Sequence, residues 1–321
     1  MSLLVANVRD RRDAYLEPEQ DHIYYELMEQ LHQEKDDNGE PTYPWRFEYV
    51  PDFFSQSSSV TDDMKFNHTS ENFGAMKPWK QIIEEINDLN TNTDNELYQV
   101  LFLARHGQGY HNVASTKYPR QDWLTKWRFL GTDGEIVWGP DPELTPLGVD
   151  QAKENNTAWK RQLELGAPLP SKFYVSPLRR SAHTLVYTWN DIDIPTPTVL
   201  ENLREVMGLH IAHKRSSKTE IRGLFPEFAF EEGFTENDEL HDTFVDRREE
   251  LSEQFVRTNK VLQRIFEQDW KDSSSHPNKY FKSVTSHAGT IRAFITVTNH
   301  RKFTIPTCGM IPIVIKGTRV A

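Results

Sequence analysis

Cysteine is nearly absent: Cys308 is the only one in 321 residues, so no internal disulfide can form and nothing ties the chain to an oxidising compartment. Missing too is any apolar run of about twenty residues, the length a helix needs to cross a bilayer. The N-terminus turns charged after a few apolar residues and lacks the arrangement of a secretory signal, so a cytoplasmic location, extending to the nucleus, is expected. Without such a signal, Asn67-His-Thr69 and Asn155-Asn-Thr157 read as chance matches to the glycosylation pattern. Positive charge is in deficit. The net charge of −11 repels nucleic acid and anionic membranes at long range, so neither is an expected partner. Any anion site has to be assembled locally from a few aimed cations.

What is present is a globular composition, 37% apolar and 12% aromatic, spread along the whole chain. Residues 1–96 read as an N-terminal extension packing on a main domain at 97–321. In the extension, a helix near 18–34 puts Ile23, Leu27 and Leu31 on one face, and a turn-rich segment follows at 35–41. Next comes a passage rich in aromatics (Trp45, Phe47, Tyr49, Phe53, Phe54, Phe66, Phe73), expected to pack as an arm wrapped outside the domain. A second helix starts at Pro78 and carries Trp79, Ile82, Ile83, Ile86 and Leu89 as a core-packing stripe.

From Leu97 on, short apolar runs alternate with longer amphipathic segments, the rhythm of an α/β fold. Strands are predicted at 97–104, 172–175, 198–200, 282–285 and 310–315, with helices near 177–189, 236–268 and 289–298. Another helix takes Thr145 as N-cap and Pro146 in its first turn and stops before Gly166, which suits positive φ. The expected architecture is a three-layer α/β/α sandwich with a mostly parallel sheet and ligands at the strand C-termini.

The chemistry collects at those ends. The first strand runs into Arg105-His106-Gly107-Gln108-Gly109-Tyr110-His111-Asn112. Arg105 can fork onto phosphate oxygens, His106 can offer a neutral lone pair, and Gly107 and Gly109 permit close backbone approach. Two further strands end in Ser176-Pro-Leu-Arg179-Arg180-Ser181 and in Ser286-His287-Ala288-Gly289. Three strand ends of matching chemistry can converge on one pocket.

With these motifs in this order, the chain resembles the histidine phosphatase superfamily, or phosphoglycerate mutase-like fold, over about residues 97–321. The resemblance implies a phosphohistidine on His106, with Arg105 beside it, Arg180 and Asn112 on the phosphoryl oxygens, and His287 as second histidine. The helix-entry pattern Leu144, Thr145, Gly148, Gln151, Ala152 is shared as well and reads as structural. Glu205, after the strand near 198, is the best proton donor, as in the mutase-like branch. His287-Ala288, Tyr110 and Asn112 depart from the acid phosphatase patterns. Fungal and plant mutase-like relatives tend to carry a Cys and an Asp where Ala212 and His213 stand, and Arg215 keeps its register there as a phosphate ligand. The extension also looks like that of fungal phosphomutase-like proteins.

The expected activity is hydrolysis of small phosphate monoesters, with phosphomutase action as the alternative and a catalytically silent phosphometabolite-binding module as a third. The intact His106 and His287 speak against the third. No metal or other cofactor is expected: His106, His111, His210 and His213 lie at loose spacings, whereas zinc needs convergent ligands. Trp123, Trp127, Phe129 and Trp138 are expected at the pocket rim, and Asp246-Arg-Arg-Glu-Glu250 on a solvated helix face. The expected partner is a small phosphorylated metabolite, with the oligomeric state left open.

Overall fold

The computed structural model describes residues 2–91, 93–274, 276 and 278–320. The extension supplies α1 (Val8–Ala14), α2 (Glu19–Leu31), β1 (Trp45–Tyr49) and α3 (Trp79–Thr91). There follow β2 (Glu96–Arg105), α4 (Tyr110–Lys117), α5 (Arg120–Thr125), α6 (Pro146–Glu164), β3 (Lys172–Val175), α7 (Arg179–Thr188) and β4 (Thr198–Val199). The chain ends through α8 (Lys218–Leu224), β5 (Ala229–Phe230), α9 (Glu239–Asp242), α10 (Leu251–Trp270), β6 (Phe281–Ser286), α11 (Ala288–Val297) and β7 (Met310–Arg319). Among the described residues no helix is long and apolar enough to cross a membrane.

The strands form one seven-stranded sheet in the order β1-β7-β2-β6-β3-β4-β5, in which β7 alone runs against the others. Helices cover both faces, giving the expected three-layer α/β sandwich. The interior strands read as continuous apolar runs because both faces are covered: Val100, Leu101, Phe102 and Leu103 of β2 are all fully buried. Two cores result. One packs α2, α10 and α11 against one face; the other holds Ile82, Phe102, Trp159 and Trp189 on the opposite face.

The extension does more than wrap the outside. Its β1 joins the sheet as an edge strand on β7, with Trp45 opposite Arg319. Trp45 is fully buried, its N–H donating to Gln263 Oε1 at 2.9 Å, and its ring packs on Phe266. In α2 the buried face is Tyr24 and Met28, while Ile23 is exposed. Tyr24 wins the inward place because its ring meets Phe255 edge-on and its hydroxyl accepts from Asn259. Expected aromatic burial holds for Phe53, Phe54, Phe66 and Phe73, as does the core stripe of α3.

The long helix predicted at 236–268 is broken. It divides into the single turn α9 and the full-length α10, with residues 243–250 between them as loop. The break has a cause in Glu249, which turns inward: it accepts from the Met207 amide at 3.0 Å and pairs with Arg257 at 2.8 Å while only 2% exposed. The charge run at 246–250 is therefore no solvated helix face. Helix α6 begins as its signals require, with the Thr145 hydroxyl accepting from the Gly148 amide and Pro146 in the first turn, and Gly166 takes φ +91° just past its end. Asn155 lies inside, bonded to His68 and Cys308, so the Asn155 pattern is closed to glycosylation in the fold.

Gly148 earns its identity by contact. A Cβ there would lie 2.1 Å from the Gln108 carbonyl oxygen, and one on Gly107 would lie 2.4 Å from the Gly148 carbonyl oxygen. The two glycines let α6 pack directly under the turn after β2. Substituting Gly148→Ala is expected to cost about 1–3 kcal/mol through overpacking, read as a lower thermal midpoint. An unchanged midpoint would show that the turn is free to move.

Candidate active site

Sheet register assembles the centre. Strands β2, β6 and β3 are parallel neighbours, with Arg105 level with Ser286 and Val175 level with Thr285. The chain leaves all three at the same edge, so His106, His287 and the Ser176–Arg180 turn must meet. Backbone bonds continue the ladder past the strands: the His106 amide donates to Ser286 O at 3.0 Å and the Ser176 amide to Thr285 O at 3.0 Å. Helices α4, α7 and α11 all begin here, capped by Gly109, Leu178 and His287, so three partly positive helix ends face one point.

His106 is 2% exposed, and its ring centroid lies 5.0 Å from that of His287 and 5.2 Å from that of His111. Its Nδ1 sits 2.7 Å from Gly107 O. A carbonyl oxygen can only accept, so Nδ1 carries the proton of the neutral ring and Nε2 keeps its lone pair. His287 places Nε2 2.8 Å from Ser176 Oγ and 3.2 Å from Ser181 Oγ, while its buried Nδ1 has no partner among the described residues.

Arg180, in the first turn of α7, is fully buried and acts electrostatically on these rings. Its one hydrogen bond, 3.0 Å, goes to Ala212 O, and its Nε and Nη2 are left unpartnered among the described residues. Burial pushes its guanidinium down to about 10, with Asp141 and Glu205 opposing, so it remains a cation at neutral pH. The surrounding histidines bear the consequence. His106, His111 and His287 lie well below the usual imidazole range and His213 is pushed down to about 3; burial is the first cause for each and Arg180 the second. Neutral imidazoles around an unpaired buried cation form a site that lacks only negative charge.

Above His106 opens a cavity of ≈310 Å³. Arg105, Asn112 and Glu205 line it together with His106. Glu205 accepts from its neighbour Val206 N at 2.9 Å and from Gly289 N, in the first turn of α11, at 3.3 Å. Asn112 Oδ1 accepts from Gly109 N at 2.9 Å, closing the start of α4. Arg105 is held from two sides, by Asp10 of α1 at 2.7 Å and by Ile305 O at 2.7 Å. The glycines differ from their expected use. Gly107 and Gly109 admit protein neighbours, Gly148 and the His111 ring with Glu143 O respectively.

Arg215 is not part of the site. Its Nε pairs with Glu201, and its two other nitrogens donate to carbonyls of Thr235, Glu236, Asn237 and Ser216, with the guanidinium over the Phe234 ring. Its donors are taken up by Glu201, by Ser216 O and by the carbonyls of the 234–237 loop. Of the expected aromatic rim, only Trp123 lines the cavity. Trp138 is fully buried and packs with Trp123 and Trp127 in a small core of their own, and Phe129 points to solvent.

Several cavity residues lay outside the sequence expectation. Arg9, Arg12 and Asp13 of α1, then Arg248 and Arg292, all face it. The basic run Arg9-Asp-Arg-Arg12 was the available signal, but nothing in the order of the chain links it to His106. His213 also lines the cavity, its Nδ1 2.5 Å from Val206 O and its ring stacked on His210. Among the described residues no three His, Cys, Asp or Glu side chains converge as a metal site.

Comparison with known proteins agrees with this arrangement. The family described as the histidine phosphatase superfamily (branch 1) matches residues 101–319. A probable phosphoglycerate mutase of Arthroderma benhamiae is 35% identical over 289 residues, spanning 83% of each chain. Phosphomutase-like protein 3 of Candida albicans is 36% identical over 266 residues, 82% of this chain and 78% of that one. A probable phosphoglycerate mutase of Saccharomyces cerevisiae is 31% identical over 277 residues, 78% of this chain and 89% of that one.

Two stability effects follow from the buried charges. A histidine held below its unfolded value near 6.5 stays neutral in the fold while the unfolded chain takes up a proton, so stability present above about pH 6.5 is lost as pH falls towards the folded value. His68 and His300, both at about 4, add to His213 at about 3. Denaturant titrations without phosphate should therefore show stability falling from pH 7 to pH 5 by about 2 kcal/mol per such histidine. A flat profile would mean that these rings protonate in place. Second, Arg180→Met should stabilise the unliganded protein by about 1–3 kcal/mol while removing its stabilisation by added orthophosphate. A lower midpoint with phosphate stabilisation intact would contradict the role given to Arg180.

Proposed function

Since the chain belongs to the histidine phosphatase superfamily, and is a phosphatase or phosphomutase of that family, we propose that it hydrolyses small phosphate monoesters through a phosphohistidine on His106. The carrying observation is the pairing of a His106 ring whose Nε2 holds its lone pair with the unpartnered guanidinium nitrogens of Arg180. A transferring phosphoryl group spreads negative charge over three oxygens and is stabilised by fixed donors aimed at them. At an effective dielectric near 20, a cation at about 4 Å contributes roughly 4 kcal/mol.

In the first step His106 Nε2 attacks phosphorus, forming the N–P bond as the ester P–O bond breaks. The leaving oxygen takes a proton from the Glu205 carboxyl group. Arg105, Arg180 and His287 hold the phosphoryl oxygens, with the Asn112 amide nitrogen as a further donor at the rim. In the second step water attacks phosphorus and gives its proton to the Glu205 carboxylate. The N–P bond breaks, orthophosphate leaves, and His106 returns neutral with Glu205 protonated. Hydrolysis is preferred to mutase action because it requires only that water reach the phosphohistidine, and the cavity that His106 lines is also lined by the exposed Arg12 and Arg120.

The test is phosphate release from sugar phosphates, phosphoglycerates, nucleotides and an aryl phosphate, with a chelator present. Wild type should release phosphate and His106→Ala should lose at least about 10³-fold. Phosphate moved between positions, with none released, would make the enzyme a mutase, and full activity in His106→Ala would overturn the mechanism. Glu205→Gln should slow alkyl phosphates about 10²–10⁴-fold and aryl phosphate far less, since a good leaving group needs no proton. Equal loss on both would remove Glu205 from the acid role.

A further inference from the structure

The cavity holds more positive charge than one phosphoryl group needs. Seven arginines line it against the carboxyl groups of Asp13, Glu17 and Glu205, a surplus of four positive charges even with all three ionised, in a chain whose net charge is −11. A phosphate monoester dianion at His106 offsets two of them. Away from His106 stand Arg9 and Arg12 from α1, Arg120 and Arg128 from the segment after α4, and Arg248 and Arg292. Such convergence is unfavourable in the protein alone, because like charges repel and partial burial weakens solvation.

The pairing of these arginines is incomplete. Arg12, Arg120 and Arg128 make no ion pair among the described residues. Arg128 Nε is buried without a partner, and its guanidinium is lowered by burial and then by Arg248. Arg292, 5% exposed, donates to Asp13 O at 2.6 Å but leaves Nε unpartnered. Arg9 is tethered through Ser115 Oγ at 2.8 Å, which fixes α1 against α4 at the cavity wall. Arg248 is the one with a carboxylate of its own, Glu17 at 3.4 Å.

Resting on the phosphatase reading for its first subsite, we infer that α1 and the 120–128 segment build a second oxyanion subsite, so that the substrate carries another phosphate group beyond the one transferred. The surplus of charge selects a phosphate dianion over a single carboxylate. Arg9 and Arg12 lie outside the residues matched by the family, 101–319, so this subsite depends on the N-terminal extension. Guanidinium forks suit phosphate oxygens geometrically as well as electrostatically.

Binding separates this inference from the catalytic one. Calorimetric titration of the full chain at fixed ionic strength would compare fructose 1,6-bisphosphate, fructose 6-phosphate, 3-phosphoglycerate and orthophosphate. The bisphosphate should bind at least about tenfold more tightly than the monophosphate. In the combined variant Arg12→Ala, Arg120→Ala, Arg128→Ala that ratio should collapse towards one, with the bisphosphate losing at least tenfold more than orthophosphate. Arg12→Glu alone, a surface change, checks the same ratio if the triple variant folds poorly. A ratio near one in wild type, or one preserved in the variants, would overturn the subsite; preference for 3-phosphoglycerate over the bisphosphate would overturn the phosphate assignment. Discrimination in binding without turnover of any ester would leave the subsite standing and sink the phosphatase reading.

Discussion

A guanidinium with no direct ion pair among the described residues, sealed at three parallel strand ends, is the constraint around which the rest of the molecule is arranged. Arg180 is held there by a hydrogen bond to Ala212 O, while Asp141 and Glu205 oppose the cost of its burial from a distance. The imidazoles of His106, His111, His287 and His213 refuse protons in its presence. The same refusal keeps a lone pair on His106. Burial first and the buried cation second keep these rings neutral, and the same cation sets the appetite for an anion, at a cost in stability.

Holding that arrangement requires rigidity on every side, and much of it is bought with backbone contact. Gly107 and Gly148 let the His106 turn and α6 touch without side chains between them. Gln151 Oε1 then accepts from the Gln108 amide at 2.8 Å, while its Nε2 reaches Leu3 O and Thr307. The extension is fastened to the same point from the other side through Asp10 and Arg105. Removing one member of such a buried pair leaves the other uncompensated, typically about 3–5 kcal/mol. The extension is therefore coupled to the centre energetically, besides supplying an edge strand to the sheet.

The motifs that meet at the cavity were readable in the sequence because their logic is local: a strand, a turn and a helix start each occupy a handful of neighbouring residues. His106, His287 and Arg180 needed only the parallel-sheet rule to be brought together. What was unreadable depends on where long side chains point. Arg215 keeps the register of a phosphate ligand, yet the four carbonyls of the neighbouring loop and chain capture its fork. Glu249 sits in a charge run that looks solvated, and it breaks a helix by turning in to Arg257. The aromatic run at 123–138 has the composition of a rim and folds mostly into its own small core, since Trp138 buries more surface by packing on Trp123 and Trp127 than by facing a polar cavity.

The hardest contacts to foresee join Arg9, Arg12 and Asp13 to a cavity assembled about a hundred residues later. No periodicity predicts such contacts; only the docking of α1 creates them. That docking has its own logic. Asn7 caps the helix in a reciprocal box with Asp10, and Asp10 Oδ1 is left to meet Arg105 while Oδ2 accepts from the Asn7 amide. One carboxylate thereby caps the start of a helix and anchors the arginine next to His106. With that residue fixed, helical spacing carries Arg9, Asp13 and then Arg12 to the cavity wall, where each guanidinium adds to a field that the transferred phosphoryl group only partly offsets. A second charged group on the proposed substrate would answer to the same electrostatics as the first.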